Sequence, residues 1–313
     1  MRPALLLAGL GLCAAQAALA VKPGEVSGTA EAVCRYRAIA AQHPDAKLRN
    51  PDHLAGRLCP GGRMQLPNDY AEARRYIDNS GEQYAPYFYV NARTHYFDEA
   101  VRRAAADGAT QIVVLGAGFD SRAYRFRQSH PQLRFFEVDL PATIEAKQKR
   151  VAAALGAAPD TVRYSPIDFN TQKLEDVLPA LGYDPKQKSL FLLEGVVMYV
   201  NAAGNDATFR FMLRHAAPGS TVVYDYLLKR VIDGKFDGLW AAGSISLGVA
   251  VIGEPYVTGW TPAGAAAYAK KHGFQVIEDV GAKELTVRHL TGSDGKPDGR
   301  IIEWHRIIEA KSR

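Results

Sequence analysis

Three carboxylates, one arginine and a glycine turn stand at spacings that suit a polar organic ligand. Asp139, Asp168 and Glu194 each close an apolar run, in FFEVD, YSPID and LFLLE. A carboxylate at a strand tip can accept hydrogen bonds from two ribose hydroxyls, and Asp139 is placed to do so. Glu137 shares the strand face of Asp139 and is a second candidate to line the site; capping the helix that starts at Pro141 is the alternative role for Asp139. Asp168 can accept from an adenine amino group, with backbone N–H near Phe169 offered to a ring nitrogen, or can cap a helix. Glu194 is costly to bury unless an ammonium group or an arginine pairs with it. Arg93 can grip a carboxylate in bidentate fashion, or can be an ordinary solvated charge. Upstream of Asp139 by about twenty residues, Gln111–Leu115 opens into Gly116-Ala117-Gly118. Glycines there let backbone N–H groups approach a ligand, and the turn with the acidic tip points to an adenosine-bearing cofactor.

Other chemistries find less support. A dinucleotide fingerprint would put its third glycine at Ser121, where close helix–strand packing wants Gly or Ala. HExxH, GxSxG and a P-loop lysine motif are absent. Cys34 and Cys59 form no CxxC or Cys/His cluster, so no metal site is expected.

The elements that must position these residues alternate. Strands are predicted at Ile112–Leu115, Leu133–Val138, Val162–Ile167, Leu190–Leu193, Thr221–Tyr226, Phe274–Val280 and Ile301–Ile308. Helical stretches fall at Pro141–Leu155, Leu174–Leu181, Asn205–His215 and Pro262–His272. That order predicts an α/β fold with a doubly wound, seven-stranded, mostly parallel sheet. The turn-rich Thr291–Pro297 suits a hairpin that returns the last strand antiparallel, unlike the dinucleotide version of this sheet. Ahead of it, residues 21–106 read as an N-terminal helical cap. They hold helices at Gly28–Ala41, Asp69–Ile77 and Phe97–Ala106, a connecting segment at His43–Pro67 and an aromatic segment at Tyr84–Tyr89. Residues 107–313 read as the core. Within it, Gly234–Thr258 is a Gly-rich apolar excursion, either a substrate wall or a packed irregular loop.

Apolar residues make up 47% and charged residues 23% of 313, enough for a substantial core. A net charge of +5 without a sustained basic run disfavours nucleic acid as a partner. Residues 1–20 carry Arg2, the apolar run Ala4–Leu12 and Ala18-Leu19-Ala20. They read as a secretory signal peptide cleaved before Val21, with an uncleaved anchor as the alternative. No later run is long enough to span a membrane. In an exported protein Cys34 and Cys59 could pair; buried free thiols are the other reading.

Thr29-Ala30, Arg37, Asn50-Pro51, Ala92-Arg93-Thr94, LGAGFDSRAYRF, FEVDLP, Ile167-Asp168-Phe169 and LLEGVVMYV occur in one family's order and spacing. From Val26 onward the chain resembles the leucine carboxyl methyltransferase family. It is most similar to the bacterial branch of S-adenosylmethionine-dependent enzymes that includes polyketide O-methyltransferases. The resemblance implies S-adenosyl-L-methionine as cofactor and methyl transfer to an oxygen of a small-molecule or carboxyl-bearing substrate. It implies that Arg93 holds the methionine carboxylate, that the Gly116 turn, with Gly118, contacts the cofactor, and that Asp139 binds the ribose. Asp168 and Phe169 would hold the adenine, Glu194 would meet the ammonium end, and Tyr199 would face the methyl. A basic residue from the first helix would also reach the cofactor, either Arg35 or Arg37.

Asp225 and Tyr226, which end the fifth strand, are expected beside the acceptor. A carboxylate acceptor needs no base whereas a hydroxyl does. No residue in the sequence has to be a base, which favours a carboxylate. A nicotinamide oxidoreductase shares the glycine turn and Asp139 but leaves Asp168, Phe169 and Glu194 idle. An exported binding protein that kept the fold is the other alternative, because S-adenosylmethionine is made in the cytosol.

Overall fold

The computed structural model describes residues 24–59 and 66–313. The signal-like segment 1–20 and part of the connecting segment, residues 60–65, lie outside the described residues. The helices are α1 Gly28–Ala40, α2 Ala55–Leu58, α3 Tyr70–Asn79, α4 Pro86–Ala106, α5 Arg122–Arg125 and α6 Pro141–Leu155. They continue with α7 Leu174–Val177, α8 Ala202–His215, α9 Lys229–Ile232, α10 Ala242–Val251, α11 Pro262–Lys271 and α12 Ala282–His289. The strands are β1 Gln111–Leu115, β2 Arg134–Asp139, β3 Val162–Pro166, β4 Ser189–Leu193, β5 Thr221–Leu227, β6 Phe274–Val280 and β7 His305–Ser312.

The seven strands form one sheet in the order β3-β2-β1-β4-β5-β7-β6. β1 to β5 are parallel, and β7 runs antiparallel to both β5 and β6. Every residue of β1, β4 and β5 is buried, as a strand covered by helices on both faces must be. Their sequences, QIVVL, SLFLL and TVVYDYL, are accordingly continuous apolar runs rather than alternations, broken chiefly by Asp225. The winding reverses between β1 and β4, and the crevice outside the carboxyl ends of the strands opens there. Because β7 is antiparallel, its first residue, His305, lies at that same edge, opposite Leu227.

Two connections differ from the sequence reading. β6 and β7 are not joined by a hairpin. α12 intervenes, and the buried Ile301, Ile302 and Trp304 lead into a strand that starts only at His305. The aromatic segment is no separate piece either. Pro86 occupies the first turn of α4, and the helix runs unbroken to Ala106. α4 packs on α12, β4 and β5, so the sheet's helical layer begins inside the range read as a cap. Cys34 of α1 and Cys59, just after α2, form a disulfide whose sulfurs are 2.09 Å apart. Both halves are buried.

Candidate active site

A cavity of about 1210 Å³ lies along the carboxyl edge of the sheet. Arg93, Gly116, Gly118, Asp139, Asp168, Phe169, Glu194 and Tyr199 all line it. Gly116 has φ +65°, and a Cβ there would sit 2.5 Å from Val196 Cγ2. Both the backbone conformation and the space therefore demand glycine. The next turn is held by Asp139, whose Oδ2 accepts from Gly118 N at 2.6 Å and whose Oδ1 accepts from Leu140 N at 2.6 Å. Asp139 does not cap α6, whose N-cap is Leu140. Burial raises its carboxyl above the ordinary aspartate value, against the pull of those two N–H groups. Asp168 caps no helix either. It closes a local turn, accepting from Asn170 N at 2.9 Å, and the Phe169 carbonyl packs where a Cβ on Gly204 of α8 would be.

Glu137 is the clearest departure at residue level. It shares a strand face with Asp139, yet it is fully buried, 2.6 Å from Lys147 Nζ of α6, and lines no part of the cavity. Burial raises its carboxyl to about 7 in spite of that lysine. The ion pair reads as a strut between β2 and α6.

Arg93 lies mid-helix in α4, buried rather than solvated. Its Nε donates to Glu194 Oε1 at 3.1 Å and its Nη1 to Asp225 Oδ2 at 2.7 Å. Arg122 Nη1 donates to the other oxygen of Glu194 at 2.6 Å. Arg122 is itself buried between Asp98 and Asp120. Glu194 is thus paired with two arginines, one of the two solutions its burial allowed. Burial works against the Arg93 and Arg122 cations, and the surrounding carboxylates outweigh it, so both are held charged. Nη2 of Arg93 makes no hydrogen bond among the described residues, leaving a donor for a ligand.

Asp225 and Tyr226 do not line the cavity. Asp225 lies behind Arg93, accepting also from Tyr89 Oη at 3.1 Å and Gly195 N at 2.5 Å. Burial favours its neutral form, but the Arg93 guanidinium prevails and holds it below the usual carboxylate range. Tyr226 points to the far side of the sheet and donates to Asp279 Oδ2 at 2.7 Å. Successive strand residues alternate faces, so one of this pair had to turn away. Of the two helix arginines, Arg37 lines the cavity and donates to the Phe119 carbonyl at 3.0 Å. Arg35 donates instead to the carbonyls of Leu66 and Pro67.

The excursion forms one wall. Ile245, Gly248, Val249 and Ile252 face the cavity from α10 and its end. Backbone bonds from Val257 and Thr258 to the Met198 carbonyl tie the excursion's end to the segment carrying Tyr199. Tyr199 there lies against Tyr256, ring centres 5.3 Å apart. Glu254 clasps the start of α1, accepting from Gly28 N at 2.6 Å and from the Ser27 and Thr29 side chains. The sequence marked the segments that carry Glu254, Tyr256 and Tyr89 but not these residues individually, and it gave no signal for His305; each enters the site only through tertiary packing. Arg122 was visible inside the glycine motif, but its partners were not. Among the described residues no cluster of side chains could hold a metal, and no helix is long and apolar enough to cross a membrane.

Comparison with known proteins decides the family. The sequence profile described as leucine carboxyl methyltransferase matches residues 30–213. The chain belongs to the leucine carboxyl methyltransferase family. Two relatives in that comparison come from Mycolicibacterium vanbaalenii and Mycolicibacterium smegmatis, each 31% identical. The alignments cover 64% and 69% of this chain and 66% and 73% of theirs. A third, from Streptomyces avermitilis, is 34% identical over 58% of this chain and 62% of its own. The chain thus spans roughly two thirds of the length of these relatives. All three are named "Putative S-adenosyl-L-methionine-dependent methyltransferase". A solved structure from Thermobifida fusca superposes with TM-score 0.56 at 15% identity, covering 88% of this chain and 97% of that one. For a family member of this size the likeness establishes the fold, the doubly wound sheet with its antiparallel β7.

Proposed function

We propose that this family member is an S-adenosyl-L-methionine-dependent methyltransferase that moves a methyl group to an oxygen of a small-molecule acceptor. The observation that carries the reading is the convergence of Arg93, the Gly116 turn, Asp139, Asp168 and Glu194 on one cavity. Their donor set matches the parts of that cofactor. Asp139 keeps lone pairs for ribose hydroxyls, and Nη2 of Arg93 suits a carboxylate. Glu194 suits an ammonium group, and Asp168 with Phe169 suits an adenine edge. The cavity exceeds the roughly 300–1,000 Å³ of a single small-ligand site, which supports room for an acceptor beside the cofactor. The cofactor supplies a methyl group on a sulfonium, already reactive, so the chain's task is alignment and exclusion of water. We also propose export, with residues 1–20 as the signal; the Cys34–Cys59 disulfide supports an oxidising compartment.

Calorimetric titration of the purified protein with S-adenosylhomocysteine and with NAD tests the assignment. Binding of the first and not the second is expected. Binding of NAD alone would overturn it and favour a nicotinamide oxidoreductase.

A further inference from the structure

We infer that His305 is a general base in the cavity and that the acceptor is a hydroxyl on an apolar, aromatic body rather than a carboxylate. The inference rests on the methyltransferase reading above and deepens it. His305 opens β7 at the carboxyl edge of the sheet and lines the cavity, only 6% exposed. Its Nδ1 is buried without a hydrogen-bond partner and faces Asp225 Oδ2 at 3.8 Å. Nε2 is the nitrogen left for the cavity. The ring packs against both Tyr89 and Trp304, with ring centres 4.5 Å away in each case. Asp225 is equally fixed, by Arg93, Tyr89 and the Gly195 N–H. A carboxylate on the side of one imidazole nitrogen favours the tautomer that carries its proton there and stabilises the imidazolium that forms when the other nitrogen accepts a proton.

The charges lining the cavity point the same way. Among the described residues they comprise seven carboxylates against two guanidiniums, Arg37 and Arg93. Arg37 is engaged by Asp52 and the Phe119 carbonyl, and Arg93 by Glu194 and Asp225. An anionic acceptor beyond the cofactor would meet like charge with no free cation, whereas a neutral hydroxyl on a flat apolar body meets Tyr36, Tyr89, Val90 and Ile245. In the step, the acceptor oxygen forms the new O–C bond as the C–S bond breaks with its electron pair going to sulfur. The acceptor's proton passes to His305 Nε2 and leaves to solvent after product release. Burial lowers the His305 pKa against the pull of Asp225, so the ring is neutral and able to accept at neutral pH. The groups facing it are Asp225 from β5 and Arg93 and Tyr89 from α4.

The test uses the full chain saturated with S-adenosylhomocysteine, titrated with substituted phenols and with benzoates of matching shape. Phenols should bind and benzoates should not, and histidine nitrogen resonances should show one ring, absent in His305→Gln, moving as phenol is added. With methyl donor, His305→Gln should methylate weakly acidic phenols at least about a hundredfold more slowly. Wild type should lose activity on the acidic side, with the limb displaced below the ordinary histidine value because burial lowers it, a limb the variant lacks. If no phenol binds, if benzoates bind or react in preference, or if the variant keeps the wild-type rate or the acidic limb, the base assignment falls. Failure of wild type to bind S-adenosylhomocysteine at all would instead remove the methyltransferase reading, and this inference with it.

Discussion

Asp139 shows how little of a ligand site a single residue owns. Its two oxygens already hold the Gly118 and Leu140 N–H groups, so the carboxylate shapes the glycine turn before any ligand arrives. Asp139→Asn puts an amide N–H₂ against one of those donors and removes the charge. Hydrogen bonds to a charged group are worth about 1.5–3 kcal/mol, so S-adenosylhomocysteine should bind at least about tenfold more weakly. Isothermal calorimetry beside a thermal melt checks this; unchanged affinity in a folded variant would show that Asp139 serves the turn alone. Asp139, Asp168 and Glu194 were legible in the sequence because each lies at or just past the end of a strand, and strand ends can be read from apolar runs. The Asp225–His305 pair was not, since its members lie on strands whose adjacency only the sheet order reveals. Arg35 and Arg37 could not be separated for a related reason. Two residues apart on a helix they face different ways, and only packing says which way is inward.

At the scale of elements, strands buried on both faces were the easiest to read and short polar helices the hardest. α12 buries only Leu285 and His289 of its eight residues, too thin an apolar stripe to stand out. α4 failed in the opposite sense. Buried on nearly every side through Tyr87–Phe97, it shows no 3.6-residue alternation. The seam between these two helices carries a pH dependence. His95 and His289 stack with centres 5.8 Å apart, and burial lowers both to about 4 from the ordinary 6.5. A lowered folded-state value means the unfolded chain binds more protons as pH falls. The stability these rings contribute is therefore complete above pH 6.5 and lost on the way to pH 4, by up to roughly 1.4 kcal/mol per pH unit for each ring. Glu137, raised to about 7, acts in the opposite direction across part of that window. Urea unfolding at pH 7 and pH 5 of wild type and of His289→Gln separates the two. The variant should lose less stability on acidification, and equal losses would place the sensitivity elsewhere.

For the molecule as a whole, the disulfide decides between the two readings the cysteines left open, and it links the helix bearing Arg37 to α2. It closes a sequence separation of 25 residues, for which chain entropy gives about 3.5 kcal/mol. Protein recovered from outside the cytoplasm should begin at Val21 by mass spectrometry and show no free thiol. Reduction should lower its unfolding free energy by about that amount. A cytoplasmic protein retaining residue 1, with Cys34 and Cys59 both reactive thiols, would contradict export. The sheet order has a further consequence, for biosynthesis. β6 leaves the ribosome before β7, yet β7 is the strand that joins β6 to β5. Until His305–Ser312 has emerged, β6 has no partner, β5 has a bare edge, and the wall bearing the imidazole is missing. A chain stalled short of that point is an unclosed sheet offering unpaired strand edges to any neighbour. Emergence of β7, closure of the sheet and acquisition of the proposed proton acceptor then coincide in a single insertion event.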